Sequence, residues 1–187
     1  MYKEVFRMPT SVTIKQRTSS VTNAFVSGII PTIEPTEEEI KRVLEALEID
    51  VNHVVCAYCG DACTEWDHFR PLVLNKKPTG YISEINNLVP ACGKCNESKG
   101  NKPWKKWMLS SAKKSPYSRK IPDLEKRIEL LENFEKEFKP RKIDFEKTVG
   151  NELWNKHWNN CQNIHNMMNE SQELSNQIKN IIKQSIE

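Results

Sequence analysis

The sequence predicts an α+β fold: a small strand–turn–strand–helix core stapled by four cysteines, with an amino-terminal arm and helix before it and helices after it. Three observations predict this. Two Cys-x-x-Cys pairs, Cys56/Cys59 and Cys92/Cys95, bracket a β-prone stretch. A turn signal, "NKKPTGY", divides that stretch. Outside the bracket, apolar residues recur at helical spacing. The expected division is 1–50 for the arm and helix, 51–110 for the core, and 111–187 for the helical carboxy-terminal region.

Residues 1–35 are rich in Ser, Thr and Val and punctuated by Pro9, Pro31 and Pro35, so an extended arm or a short strand pair is expected. A helix follows. Thr36 and Glu39 form a capping-box pattern, and Ile40, Val43, Leu44 and Leu47 lie on one face. Within 51–100, "VNHVVCAYCG" reads as a strand entering a knuckle, "WDHFRPLVL" as a strand, and "GKCNESKGNKPWKKWM" as the start of a helix. Pro122 opens a further helix, 122–138, with Leu124, Ile128, Leu131 and Phe134 or Phe138 on one face. "KPRK" ends it. A last helix runs from about 150, its stripe including Trp154, Trp158, Cys161, Ile164, Met168, Leu174, Ile178 and Ile181.

The chain has 187 residues, 37% of them hydrophobic, and a net charge of +3. That is one domain with appendages or two very small ones. No apolar run is long enough for a bilayer, and the start lacks the apolar core of a secretory signal, so no membrane partner and a cytoplasmic location are expected. In that setting the paired cysteines read as metal ligands. Two thiolates from each tight turn fill the four corners of a tetrahedron, which suits a structural Zn²⁺ on Cys56, Cys59, Cys92 and Cys95. Cys161 lies four residues from both His157 and His165, a face better explained by packing than by a second metal.

Charge is uneven. Residues 31–98 carry six basic and twelve acidic side chains; residues 99–122 carry eight basic and none acidic. Lys99, Lys102, Lys105, Lys106, Lys113, Lys114, Arg119 and Lys120 thus form a local cationic segment, of the kind that neutralises phosphates without reading sequence. Trp104, Trp107 and Tyr117 interleave with it; Trp104 and Trp107 are expected in the core.

Between the knuckles lie Asp67-His68 and Asn86-Asn87, and Asn96 directly follows Cys95. "CAYC", "WDHFRP", "NNLVPACGKCN" and "ESKG" in this order resemble the HNH, or ββα-metal, endonuclease family in its four-cysteine zinc-binding branch. The resemblance covers roughly 56–107. Apart from the family, His68 is the evident base in the segment, and Asp67 is a hard oxygen donor. Neighbours on a strand point to opposite sides, so bringing both to one site requires a bend or an unusual rotamer.

The resemblance implies that His68 is the general base. It implies that Asp67 and Asn96 hold a catalytic Mg²⁺ or Mn²⁺, and that Asn87, directly before "LVP", orients the His68 ring. Many relatives have a histidine where this chain has Asn96. Arg70, Lys99, Lys102, Lys105 and Lys106 are the expected substrate-binding residues. The implied substrate is nucleic acid, foremost double-stranded DNA, cut to 5′-phosphate and 3′-hydroxyl ends, in restriction or antiphage defence. The carboxy-terminal helices would contact a second copy or a partner protein. The competing expectations are a zinc-stapled nucleic-acid-binding module without catalysis, and a nuclease subunit acting on RNA within a larger complex.

Overall fold

A computed structural model describes residues 2–186, without the side chains of Tyr2 and Glu4. The helices are α1 (Tyr2–Val5), α2 (Thr18–Ser27), α3 (Glu37–Ala46), α4 (Gly93–Lys99), α5 (Trp104–Met108), α6 (Leu124–Glu137), α7 (Phe145–Val149) and α8 (Asn151–Gln184). The strands are β1 (Glu65–His68), β2 (Val73–Leu74), β3 (Lys77–Pro78) and β4 (Leu88–Ala91). Helix and a small amount of sheet thus make the expected α+β class. Two compact units emerge, one from residues 1–25 with 149–187, the other from residues 26–148.

The larger unit holds the cysteine pairs. β1 and β4 pair antiparallel, with Asp67 opposite Val89 and His68 opposite Leu88. β2 and β3 form a minimal hairpin whose two loop residues, Asn75 and Lys76, both have positive φ (51° and 63°). Left-handed backbone at both loop positions matches the right-handed twist of the strands. The turn expected over "NKKPTGY" is thus tight and made by its first two residues, and Lys77–Pro78 after it pair as β3. The stretch before Cys56 is no strand; it makes an isolated bridge between Val55 and Ala62.

Around this sheet lies the core. Thr36 Oγ1 accepts from the Glu39 amide, and the Glu39 carboxylate accepts from the Thr36 amide, closing the expected capping box of α3. Val43 and Leu44 are buried on the face of α3 that meets α6. Phe69 stacks on Trp104, with ring centroids 5.1 Å apart, and meets Phe134 of α6 edge-on at 5.2 Å. Trp107 meets Tyr58 edge-on at 5.2 Å. Both tryptophans are therefore core residues, as their three-residue spacing suggested. Arg127 of α6 reaches the first knuckle and donates to Cys56 O at 3.2 Å. Gly60 (φ 77°) lies so close that a β-carbon there would stand 2.5 Å from Arg127 Nη2.

In the smaller unit α8 carries most of the packing. His165 Nε2 lies 3.1 Å from Thr22 Oγ1, His157 Nε2 lies 3.0 Å from Phe25 O, and Cys161 is buried between these positions on the helix. The His–Cys–His face is thus a packing face. Gln172, also buried, accepts from the Ile14 amide at 2.7 Å. Where an extended arm or strand pair was expected over 1–35, the structure has α1 and, after residues 6–13 without regular structure, a 3-10 turn at Ile14–Arg17 leading into α2. Tertiary anchoring to α8 overrides the weak helix preference of the Ser/Thr-rich segment.

Candidate functional site

Cys56, Cys59, Cys92 and Cys95 are all buried, none is disulfide-bonded, and their sulfurs lie within 4.8 Å of one another. Cys59 Sγ and Cys92 Sγ are 3.7 Å apart. A tetrahedron with Zn–S bonds of ~2.3 Å has edges of ~3.8 Å, so the cluster fits a zinc ion. Crowding separates the thiols. Hydrogen bonding to Cys59 pushes Cys56 up to about 12, while bonds donated by its sulfur neighbours pull Cys59 down. Arg119 adds a positive charge, with Nη1 3.5 Å from Cys95 Sγ and Nη2 paired to Asp61 Oδ2 at 2.7 Å. Metal binding removes the thiol protons that this crowding otherwise retains.

The clamp sets β1 and β4 against α4. Strand alternation then divides the Asp-His pair. Asp67 faces inward and is 4% exposed; His68 is half-buried. The Asp67 carboxylate takes the Tyr58 hydroxyl on Oδ2 at 2.6 Å. Lys99 of α4, 0% exposed, reaches the same oxygen at 2.9 Å and Oδ1 at 3.2 Å. Burial and the carboxylate together push the Tyr58 hydroxyl well above its ordinary range. Burial also lowers Lys99, which the neighbouring carboxylate partly offsets.

His68 Nε2 lies 2.8 Å from Ser83 Oγ. Burial lowers its pKa below 6.5; Asp67 pulls the other way and Lys99 adds to the lowering. The imidazole is therefore neutral at neutral pH. Asn87, fully buried, clamps the chain just beyond: Oδ1 accepts from the Arg70 amide at 2.9 Å and Nδ2 donates to Arg70 O at 3.0 Å. Its backbone carbonyl accepts from Phe69 N at 2.8 Å. Asn87 thus acts on the backbone following His68. Asn96 sits one helical turn before Lys99, and its Nδ2 donates to Glu65 Oε2 at 2.8 Å. Glu65 and Asp67 share a face of β1, so Asn96 and Lys99 lie along that face in the same order.

Residues 56–102 match the family model described as HNH endonuclease.

This segment has the pattern of an HNH endonuclease domain.

A second similarity runs to a CRISPR-associated endonuclease Cas9 of Corynebacterium diphtheriae, 38% identical over 61 residues. It covers 30% of this chain, and the chain spans about 5% of that relative's length. No solved structure matches.

Within the HNH domain and just beyond it, half of the cationic segment is paired with acids. Lys99 is internal; its burial does not fit the expected contact with substrate. Lys105 pairs with Glu132, Lys114 with Glu97 and Arg119 with Asp61. Acids from outside this acid-free run fold onto it, so its charge is smaller in three dimensions than along the chain. Lys102, Lys106, Lys113 and Lys120 have no acidic partner among the described residues. Arg70 is turned inward, with Nη2 donating to Glu135 O at 3.0 Å.

Sequence reasoning passed over Ser83, Tyr58 and Glu65. Tyr58 fills a variable position of the first Cys-x-x-Cys pair, and Ser83 and Glu65 belong to no motif that spacing reveals. The fold brings Ser83 to His68, Tyr58 to Asp67 and Glu65 to Asn96. For a hard divalent cation, the Asp67 carboxylate and the Asn96 amide oxygen are donors of the right kind. The carboxylate is, however, already bonded to the Lys99 ammonium.

Proposed function

We propose that the HNH domain hydrolyses phosphodiester bonds of nucleic acid, with double-stranded DNA as the first substrate and His68 as general base. The observation that carries this reading is the neutral imidazole fixed by Ser83 at the end of β1, inside the four-cysteine frame. In the tautomer where Nε2–H donates to Ser83 Oγ, Nδ1 is free to take the proton of an attacking water. Asn87 steadies the backbone that presents the ring. Bound through Asp67 and Asn96, Mg²⁺ or Mn²⁺ would stabilise charge on the phosphate oxygens. Lys102 and Lys106, exposed next to α4, supply backbone neutralisation. A place in restriction or antiphage defence rests on the family resemblance. Contact of α8 with a second copy or a partner protein is supported by the exposure of Leu174, Ile178 and Ile181 along one side of the helix.

The engagement of Asp67 by Lys99 and Tyr58 favours a second reading, a zinc-stapled binding module without catalysis. One experiment separates them: plasmid DNA, and in parallel structured RNA, incubated with zinc-loaded protein and Mg²⁺ or Mn²⁺, beside His68→Ala. Cleavage by the unaltered chain alone supports the nuclease. Equal cleavage by both removes His68 from the reaction, and cleavage by neither favours the binding module. Preference for RNA would change the substrate and leave the chemistry.

A further inference from the structure

Lys99 is the largest charged side chain in the protein's interior. Its Nζ lies within 3.3 Å of four oxygens: both of Asp67 (2.9 and 3.2 Å), His68 O (2.9 Å) and Gly100 O (3.3 Å). An unpaired ammonium in such a place would cost several kcal/mol, so the carboxylate is what permits its burial. The converse also holds. Without a cation beside it, the 4% exposed carboxylate of Asp67 would be an uncompensated buried charge. The ammonium joins the two elements that bear the site: β1, through Asp67 and the His68 carbonyl, and α4, on whose last turn it stands.

We propose that Lys99 is a built-in counter-cation of Asp67, and that a divalent cation reaches this carboxylate only by displacing it. The inference rests on the reading of Asp67 as a cation ligand. Two positive charges sharing one carboxylate in a dry interior repel strongly, so ammonium and divalent ion compete. Apparent affinity for the divalent ion is then reduced by the fraction of chains in which the lysine has withdrawn. Lys99 is accordingly a positioning residue. It keeps β1 and α4 in register while the divalent ion is absent, and it sets the concentration at which that ion enters.

The test uses the zinc-loaded full chain without nucleic acid, so that no turnover is involved. Mn²⁺ binding is titrated calorimetrically for the unaltered protein, Lys99→Met, Lys99→Arg and Asp67→Asn. Lys99→Met is expected to bind Mn²⁺ more tightly by about tenfold or more. Lys99→Arg, which keeps the charge, should stay near the unaltered value, and Asp67→Asn should lose the site. Should Lys99→Met fail to fold, the unaltered chain gives the answer: by ¹⁵N NMR, the Lys99 ammonium protons should be protected from exchange and lose that protection as Mg²⁺ is added. Equal Mn²⁺ affinity in Lys99→Met and the unaltered chain, or an ammonium signal unmoved by saturating Mg²⁺, overturns the competition while leaving Asp67 as ligand. Undiminished Mn²⁺ binding in Asp67→Asn removes the underlying reading, and this inference with it.

Discussion

Lys99 Nζ lies 2.9 Å from Asp67 Oδ2, and both side chains are sealed from solvent. Two neighbours in sequence, Asp67 and His68, thereby receive different environments. The acid is tied to an internal cation and a tyrosine; the imidazole is tied to one serine hydroxyl at the domain's edge. The sulfur clamp, by fixing β1 against α4, enforces this division.

The pH dependence of cleavage should report His68. Its pKa is lowered chiefly by burial, and the neutral ring is the base. Activity should therefore fall on the acid side with a midpoint below 6.5, measured as single-turnover rate against pH. A midpoint above 6.5 would contradict the assignment. Stability should respond with a defined sign. Between 6.5 and the lower folded-state value, the unfolded chain takes up a proton that the folded chain resists, so this histidine makes unfolding easier as pH falls through that window. Above it, the contribution vanishes.

Ser83→Ala removes the hydrogen bond between the His68 ring and the Ser83 hydroxyl. The ring should lose its preferred orientation, and kcat should fall by about 10–100-fold with KM little altered. Ser83→Thr, which keeps the hydroxyl, should recover most of the rate. Steady-state kinetics on a defined duplex reads both effects.

Asn87→Ala strips the amide clamp from Arg70. Two part-buried backbone groups lose their partners, so the loss in unfolding free energy should be roughly 1–3 kcal/mol by denaturant titration. An Asn87→Asp variant retains the acceptor and loses the donor, and should fall between the two.

Metal removal should unfold the HNH domain, because two knuckles distant in sequence have no covalent link. Arg119→Ala should weaken zinc retention without abolishing it, by about 10–100-fold in competition with a chelator. Its guanidinium touches Cys95 Sγ and Asp61 and is no ligand itself.

How much of this was legible beforehand varies by element, for physical reasons. The four-cysteine cluster and the α3 capping box are local patterns whose spacing carries their geometry, and both appear as expected. The stripe of Leu131 and Phe134 likewise places α6 against the core. The amino-terminal segment misleads because its 3-10 turn and α2 are held by α8, more than a hundred residues away. Lys99 misleads in the opposite sense. Within an acid-free run of lysines it reads as surface charge, and only the crossing of α4 over β1 shows that its partner is Asp67. Glu132, Glu97 and Asp61 neutralise the same run from outside it.

One cysteine stands apart from both the sulfur cluster and the α8 packing face. Cys63 is partly exposed, its thiol pointing to Glu65 O at 3.2 Å, whereas Cys161 is buried. With zinc in place, an alkylating reagent therefore meets a single ready thiol. The mass added to the intact chain becomes a direct gauge of clamp occupancy: one adduct when it is shut, several once it has opened.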